Sequence, residues 1–142
     1  MADPFDLNRF VVAQTGSYDA ALAEIVAGRK HSHWMWYVFP QLAGLGSSSM
    51  AMRYAIRSIA EARAYLDHAV LGPRYDACVA ALGALPAGTT AEAVFGGIDA
   101  MKLCSSLTLF AAARPDARLD AAITRWCGAR DGRTLALLGA AG

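Results

Sequence analysis

Trp34-Met35-Trp36-Tyr37-Val38-Phe39-Pro40 is the stretch on which the fold class turns. Its run of bulky side chains suits a short buried strand and a buried helical turn equally, and over so few residues periodicity does not separate the two. Pro40 supplies no amide donor and disfavours helix at Phe39, so a break falls there in either case. The rest of the chain decides the matter. A strand needs a partner, and no second convincing strand is present. The stretch is read as helical, with at most one small strand pair near Trp34–Phe39 or Met50–Ile56. The chain, residues 1–142, is read as an all-α single domain of short helices.

Helix signals recur on both sides of it. Asp3, with Pro4 in the first helical position, opens a helix to about Gln14 with Leu7, Phe10 and Val11 on one face. Ser17 opens a second, with Tyr18, Ala21, Leu22 and Ile25 sharing a face before Gly28 ends it. Gly44, Gly46 and Ser47–Ser49 read as a flexible loop. Ser58 and Glu61 form a capping box, and Pro73 opens a helix carrying Tyr75, Cys78, Val79 and Leu82. Thr89 with Glu92 starts a short helix closed by Gly96-Gly97. Asp99 caps a longer one, on which Leu103, Cys104, Leu107 and Phe110 repeat at helical spacing. Asp116 begins the next, ended by Gly128, and a last short helix runs from Asp131 to about Leu138.

Composition agrees with a packed core. Of 142 residues, 56% are hydrophobic and 18% charged, unlike a disordered chain. A chain of this length buries about 68–70% of its unfolded surface, so it needs no metal or disulfide to fold. With 13 basic and 12 acidic residues the net charge is +1, which creates no broad field toward nucleic acid or an anionic membrane. Cys78, Cys104 and Cys127 form no CxxC pair and each sits in an apolar helical pattern. They read as buried reduced thiols, with a cytoplasmic location and no metal or cofactor. The uncharged run from His31 to Met52 is interrupted by His33, Pro40, Gln41 and three serines, so it is no spanning helix. The N-terminus has no secretory pattern. Nothing sets the oligomeric state.

Two segments carry chemistry. In Arg29–Gln41, His33 can move a proton near neutral pH, Trp34 and Trp36 offer flat faces, and Arg29 and Gln41 offer a charge and an amide. The histidines at i and i+2 do not share a helix face, and no acid follows before Met52, so metal ligation is set aside. The plainer alternative is that the tryptophans are core and the histidines cap a helix end. In the second segment, Lys102, Ser105 and Ser106 stand at i, i+3 and i+4, which groups them on one face. A partly buried lysine needs an anion, either a carboxylate or a ligand phosphate. The plainer alternative is a serine bonded back to a carbonyl on an exposed face.

The run Gly28-Arg29-Lys30-His31-Ser32-His33-Trp34-Met35-Trp36, with Phe39-Pro40-Gln41 and Gly44-Leu45-Gly46, resembles the signature of the family called domain of unknown function 1810. Further matches are Arg53-Tyr54-Ala55-Ile56, Tyr65-Leu66, Leu71-Gly72 and Arg74. Phe95-Gly96 through Asp99, Lys102, Ser105-Ser106 and Thr108-Leu109-Phe110 also fit. The resemblance covers nearly the whole chain and implies membership of an uncharacterised, mainly bacterial family. The Phe95–Phe110 arrangement is also faintly similar to the NADAR superfamily, which implies ADP-ribose chemistry as a ligand class.

The expectation is a cleft between Arg29–Gln41 and the Lys102–Ser106 helix face that binds a nucleotide-like or ADP-ribose-like anion, with hydrolysis as the reaction class. Arg29 or Lys102 holds the anionic group, Trp34 stacks with Trp36 as a further ligand-binding candidate, Gln41, Ser105 and Ser106 orient the ligand, and His33 with Asp99 serves proton transfer. A rival is a non-catalytic interaction module using the aromatic segment as a partner surface. A third is a polar network that only locks the fold. A pocket converging on Lys102 distinguishes the first from an open apolar patch.

Overall fold

The computed structural model describes residues 2–141, among which ten helices form an all-α fold. In chain order they are α1 (Asn8–Thr15), α2 (Tyr18–Ala27), α3 (Met35–Val38), α4 (Ser49–Arg53), α5 (Ile59–Asp67), α6 (Leu71–Gly83), α7 (Ala91–Phe95), α8 (Gly97–Ala113), α9 (Ala117–Cys127) and α10 (Gly132–Ala141). No helix among the described residues is long and apolar enough to cross a membrane.

α8 is the axis. Leu103, Leu107, Leu109 and Phe110 on it are fully buried, and α3, α5, α7, α9 and α10 pack around it. α6 closes the other side against α2, α5 and α9. The core is strongly aromatic. Phe110 lies 4.5 Å from Tyr75 and 5.2 Å from Tyr65, and Tyr65 takes Phe10 edge-on at 5.1 Å. Such pairs add about 0.5–1.5 kcal/mol each beyond the area they bury. Where α5 turns into α6, Gly72 sits against the Leu66 carbonyl oxygen, and any Cβ there would collide with it.

The Trp34–Phe39 stretch forms the single helical turn α3, ended at Phe39 before Pro40. The only strand-like pairing among the described residues is an isolated parallel bridge from Leu42 to Ile56. It is closed by Ala43 N–H to Ile56 O at 2.7 Å and Ile56 N–H to Gln41 O at 2.8 Å.

Several boundaries differ from the sequence expectation, each for a local reason. α1 begins at Asn8, because Asp6 takes a positive φ of 51° and breaks the turn that Pro4 starts. Asp3 still caps it, accepting from the Leu7 and Asn8 amides. The serine run read as loop instead supplies Ser48, whose Oγ accepts from Ala51 N–H and starts α4. Thr90, not Thr89, caps α7. Gly96, at φ 81°, lets α8 begin at Gly97, so Asp99 lies in its first turn instead of capping it.

The cysteine expectation is corrected. α9 folds back along α8 and brings Cys127 to Cys104 with their Cα atoms 5.8 Å apart, and the two are joined by a disulfide. Cys78 alone fits the expected buried thiol; burial pushes it up to about 12.

One guanidinium ties the N-terminal segment to the body. Arg9 places its Nε on Arg53 O, one terminal nitrogen on Phe5 O and Asp6 O, and the other on Ala55 O and Glu61 Oε2. All five N–H donors are used. Glu61 is buried and takes Arg9 at 2.7 Å, while its other oxygen accepts from Arg57 N–H. Arg9→Ala strands this carboxylate, and we expect a loss of about 3–5 kcal/mol in urea unfolding. Adding Glu61→Gln should recover part of it. A double variant no more stable than Arg9→Ala would show that the buried charge is not the cause.

Candidate functional site

The Arg29–Gln41 segment is shaped from below by Glu24 on α2. Gly28, at φ 78°, ends that helix in a left-handed cap and turns the chain back over it. Glu24 then accepts four hydrogen bonds: Oε1 from the His31 amide at 2.6 Å, the Ser32 amide at 2.8 Å and the Trp34 indole at 3.0 Å, and Oε2 from the Ser32 hydroxyl at 2.6 Å. Partial desolvation pushes the carboxyl up. The hydroxyl of Ser32 and the amides of His31 and Ser32 outweigh it and hold the group at about 2.

Within the same turn, Lys30 donates its amide to Val94 O on α7 at 2.8 Å. Its ammonium reaches Asp99 Oδ2 at 2.9 Å and stands 5.2 Å from the Trp34 ring centroid. On the other side of Asp99, Lys102 meets Oδ1 at 3.4 Å and stands 5.0 Å from the Trp36 ring. The result is a row in which tryptophan, lysine, carboxylate, lysine and tryptophan alternate. Each cation–ring contact contributes about 0.5–1 kcal/mol or more where desolvated.

Beyond Lys102 opens a cleft of about 330 Å³ lined by Trp36, Gln41, Leu45, Ser47, Ser48, Ile98, Met101, Lys102, Ser105, Asp131 and Arg133, among others. The two sequence segments therefore meet, but only part of each reaches the cleft. Trp36, Gln41, Lys102 and Ser105 line it. Arg29 and His33 are exposed and do not line it; the His33 carbonyl accepts from Tyr37 OH at 3.3 Å. Trp34 is 0% exposed, its indole spent on Glu24 and its ring packed edge-on to Phe95. Ser106, also 0% exposed, turns into the core and shares a 3.0 Å hydrogen bond with Tyr75 OH. Ser105 bonds back to Met101 O at 3.1 Å and reaches Asp131 Oδ2 at 3.4 Å. Asp99 stands behind the cleft wall with each oxygen engaged by an ammonium.

Four residues of the site were missed in the sequence reading: Glu24, Lys30, Asp131 and Arg133. Glu24 carried a signal. It is an acid near a helix C-terminus, the wrong end of the macrodipole for a carboxylate, and so it calls for donors. Asp131 with Thr134 reads as a helix start, and the carboxylate does accept from the Thr134 amide at 2.9 Å. Nothing local marks Arg133. Among the described residues no group of three or more His, Cys, Asp or Glu could hold a metal.

The family model described as "Protein of unknown function (DUF1810)" matches residues 4–138. Among solved structures, the chain is similar to the crystal structure of the conserved hypothetical protein Rv1873 from Mycobacterium tuberculosis. The two share 50% sequence identity over 96% of this chain and 99% of that one, with a TM-score of 0.93. No curated protein matches.

The Glu24 carboxyl sets a pH dependence whose sign follows from its depression. A group lowered from 4.5 to about 2 contributes stability that is complete above about pH 4.5 and is lost as pH falls toward 2. Other carboxylates titrate there too, so the quantity to measure is the difference between wild type and Glu24→Gln in urea unfolding from pH 2 to 7. Wild type should be the more stable by about 2 kcal/mol at neutral pH, with the gap closing below pH 4.5. A gap independent of pH would rule out the ionised carboxylate as its source.

Proposed function

We propose that this chain, which belongs to the DUF1810 family and takes no activity from that membership, binds a small nucleotide-like anion in the cleft beside Lys102. The observation that carries the reading is the pairing, on one cleft wall, of a half-buried Trp36 ring with the Lys102 ammonium. Arg133 adds a second cation at the rim, and Gln41 and Ser47 add polar groups beside it. A flat ring stacked on Trp36 and an anionic group between Lys102 and Arg133 use this set fully. At about 330 Å³ the cleft is at the small end of the roughly 300–1,000 Å³ common to ligand sites. That size suits one ring and one anionic group, so within the ADP-ribose-like class the smaller members fit better.

Binding is proposed without hydrolysis. His33 lies outside the cleft, and Asp99 already serves two ammonium groups. The ligand class also underlies a proposed cytoplasmic location, since the bonded pair Cys104–Cys127 withdraws the support that reduced cysteines gave it. The interaction-module reading has one observation of its own: Ile98 and Met101, at 76% and 63% exposure, form an apolar rim to the same cleft.

Calorimetry with adenosine monophosphate and ADP-ribose, on wild type, Lys102→Ala and Arg133→Ala, tests the proposal. Loss of either cation should weaken binding by about 1.5–3 kcal/mol, the range for a hydrogen bond to a charged group. Lys102→Ala should cost less than about 1 kcal/mol of folding stability, because Asp99 keeps Lys30 and is not stranded. No heat with wild type at millimolar ligand would reject the ligand class. A large stability loss in Lys102→Ala would return the row of charges to a purely structural role.

A further inference from the structure

The Cys104–Cys127 bond is not sealed in the core. Both residues are partly exposed, and both line a second cavity, of about 380 Å³, with Glu92, Met101, Trp126 and Asp131. The same bond sits at a junction. It fixes the end of α9 on the middle of α8, and only Gly128–Arg130 separate it from Asp131. Asp131 is docked onto the adjacent turn of α8: its amide donates to Thr108 Oγ1 at 2.9 Å, and that hydroxyl donates to Cys104 O at 2.8 Å. Asp131 Oδ2 takes Ser105 and the start of α10, and two residues on, Arg133 lines the Lys102 cleft. Asp131 is shared by both cavities.

We propose that Cys104 and Cys127 form a site of reversible thiol–disulfide exchange with small uncharged or cationic thiols, and that its state sets how firmly Asp131 and Arg133 are held at the neighbouring cleft. The class of thiol follows from the cavity wall, whose charged side chains are Glu92 and Asp131, with no lysine or arginine among them. In the exchange, a thiolate of an external thiol attacks one cysteine sulfur and forms a mixed disulfide while the other cysteine leaves as thiolate. A second external thiolate then displaces the first cysteine. Two electrons and two protons pass to the protein, and the thiol reagent departs as its own disulfide. Oxidation runs the same steps backward with a small disulfide as the electron acceptor. Opening the crosslink frees a loop whose ends are separated by 23 positions, and the Asp131 linkage, left to hydrogen bonds alone, loosens. The effect on ligand affinity rests on the proposed cleft; the exchange itself does not.

The 142-residue chain, oxidised with cystamine or reduced with dithiothreitol, tests this in the native state. Iodoacetamide followed by intact mass should give no adduct on the oxidised protein and two on the reduced one, with Cys78 silent because it is buried. Reduction should lower Tm by roughly 10 °C and raise amide hydrogen exchange at Asp131–Arg133. Mercaptoethanol should reduce the bond severalfold faster than mercaptoethanesulfonate at equal thiolate concentration. The double variant Cys104→Ser with Cys127→Ser should match the reduced protein in either buffer. The proposal is overturned if cystamine leaves both thiols free, or if Tm and exchange are the same in the two states. It is equally overturned if dithiothreitol changes the double variant, or if the sulfonate reduces as fast as mercaptoethanol. None of these readouts uses a nucleotide, so a failed cleft reading leaves their outcome unaffected.

Discussion

Four donors converging on the Glu24 carboxylate hold the segment from which the candidate site is built. A polar run following a helix has no reason of its own to adopt one shape. Glu24 supplies it by accepting two successive amides, which bends the chain tightly, and by taking the Trp34 indole, which lets a large ring enter the core without an unsatisfied N–H. The bend places Lys30 against Val94 and Asp99, while Trp36, two residues after Trp34, emerges on the cleft side. One carboxylate thus divides two neighbouring tryptophans between core and surface.

The alternating row from Trp34 to Trp36 works by a similar economy of charge. Two ammonium groups share one carboxylate, so the row carries one uncompensated positive charge. The lysine nearer the core is the better paired: Lys30, with its side chain 9% exposed, makes the shorter contact to Asp99. The surplus therefore falls on Lys102, whose longer contact and greater exposure put it at the cleft. Each lysine also lies near an aromatic face, which lowers the cost of removing it from water. A lone lysine in the same position would have no such sharing.

Much of the fold was legible in the sequence, and the failures have particular causes. Helix faces such as Leu103, Leu107 and Phe110 were visible because their period is a property of a single segment. The Trp34–Phe39 stretch was read as helix only because nothing could pair with it, a judgement about the whole chain. Asp99 looked like a cap because acids commonly are; Gly96 in a left-handed conformation started the helix earlier. Lys102, Ser105 and Ser106 do share a broad face, but the edge of the core runs through it, so Ser106 turns toward Tyr75 while Lys102 remains outside. Which side of that edge a small polar residue takes depends on α6, distant in sequence. The Cys104–Cys127 bond was illegible for the same reason, since it exists only once α9 lies along α8.

Gly72 extends this dependence to the history of the sequence. At the α5–α6 corner the Leu66 carbonyl oxygen occupies the space where a side chain would begin, so even alanine requires the two helices to separate. Tyr65 and Tyr75 flank that corner and meet edge-on at 6.2 Å, so separation would be transmitted to the aromatic core. Stepwise drift has no small first move at this position. A relative that keeps the corner must keep the glycine, and one that has lost the glycine must have rebuilt the crossing of α5 with α6. That single position therefore sorts divergent sequences by whether they share this core geometry, without reference to any residue of the cleft.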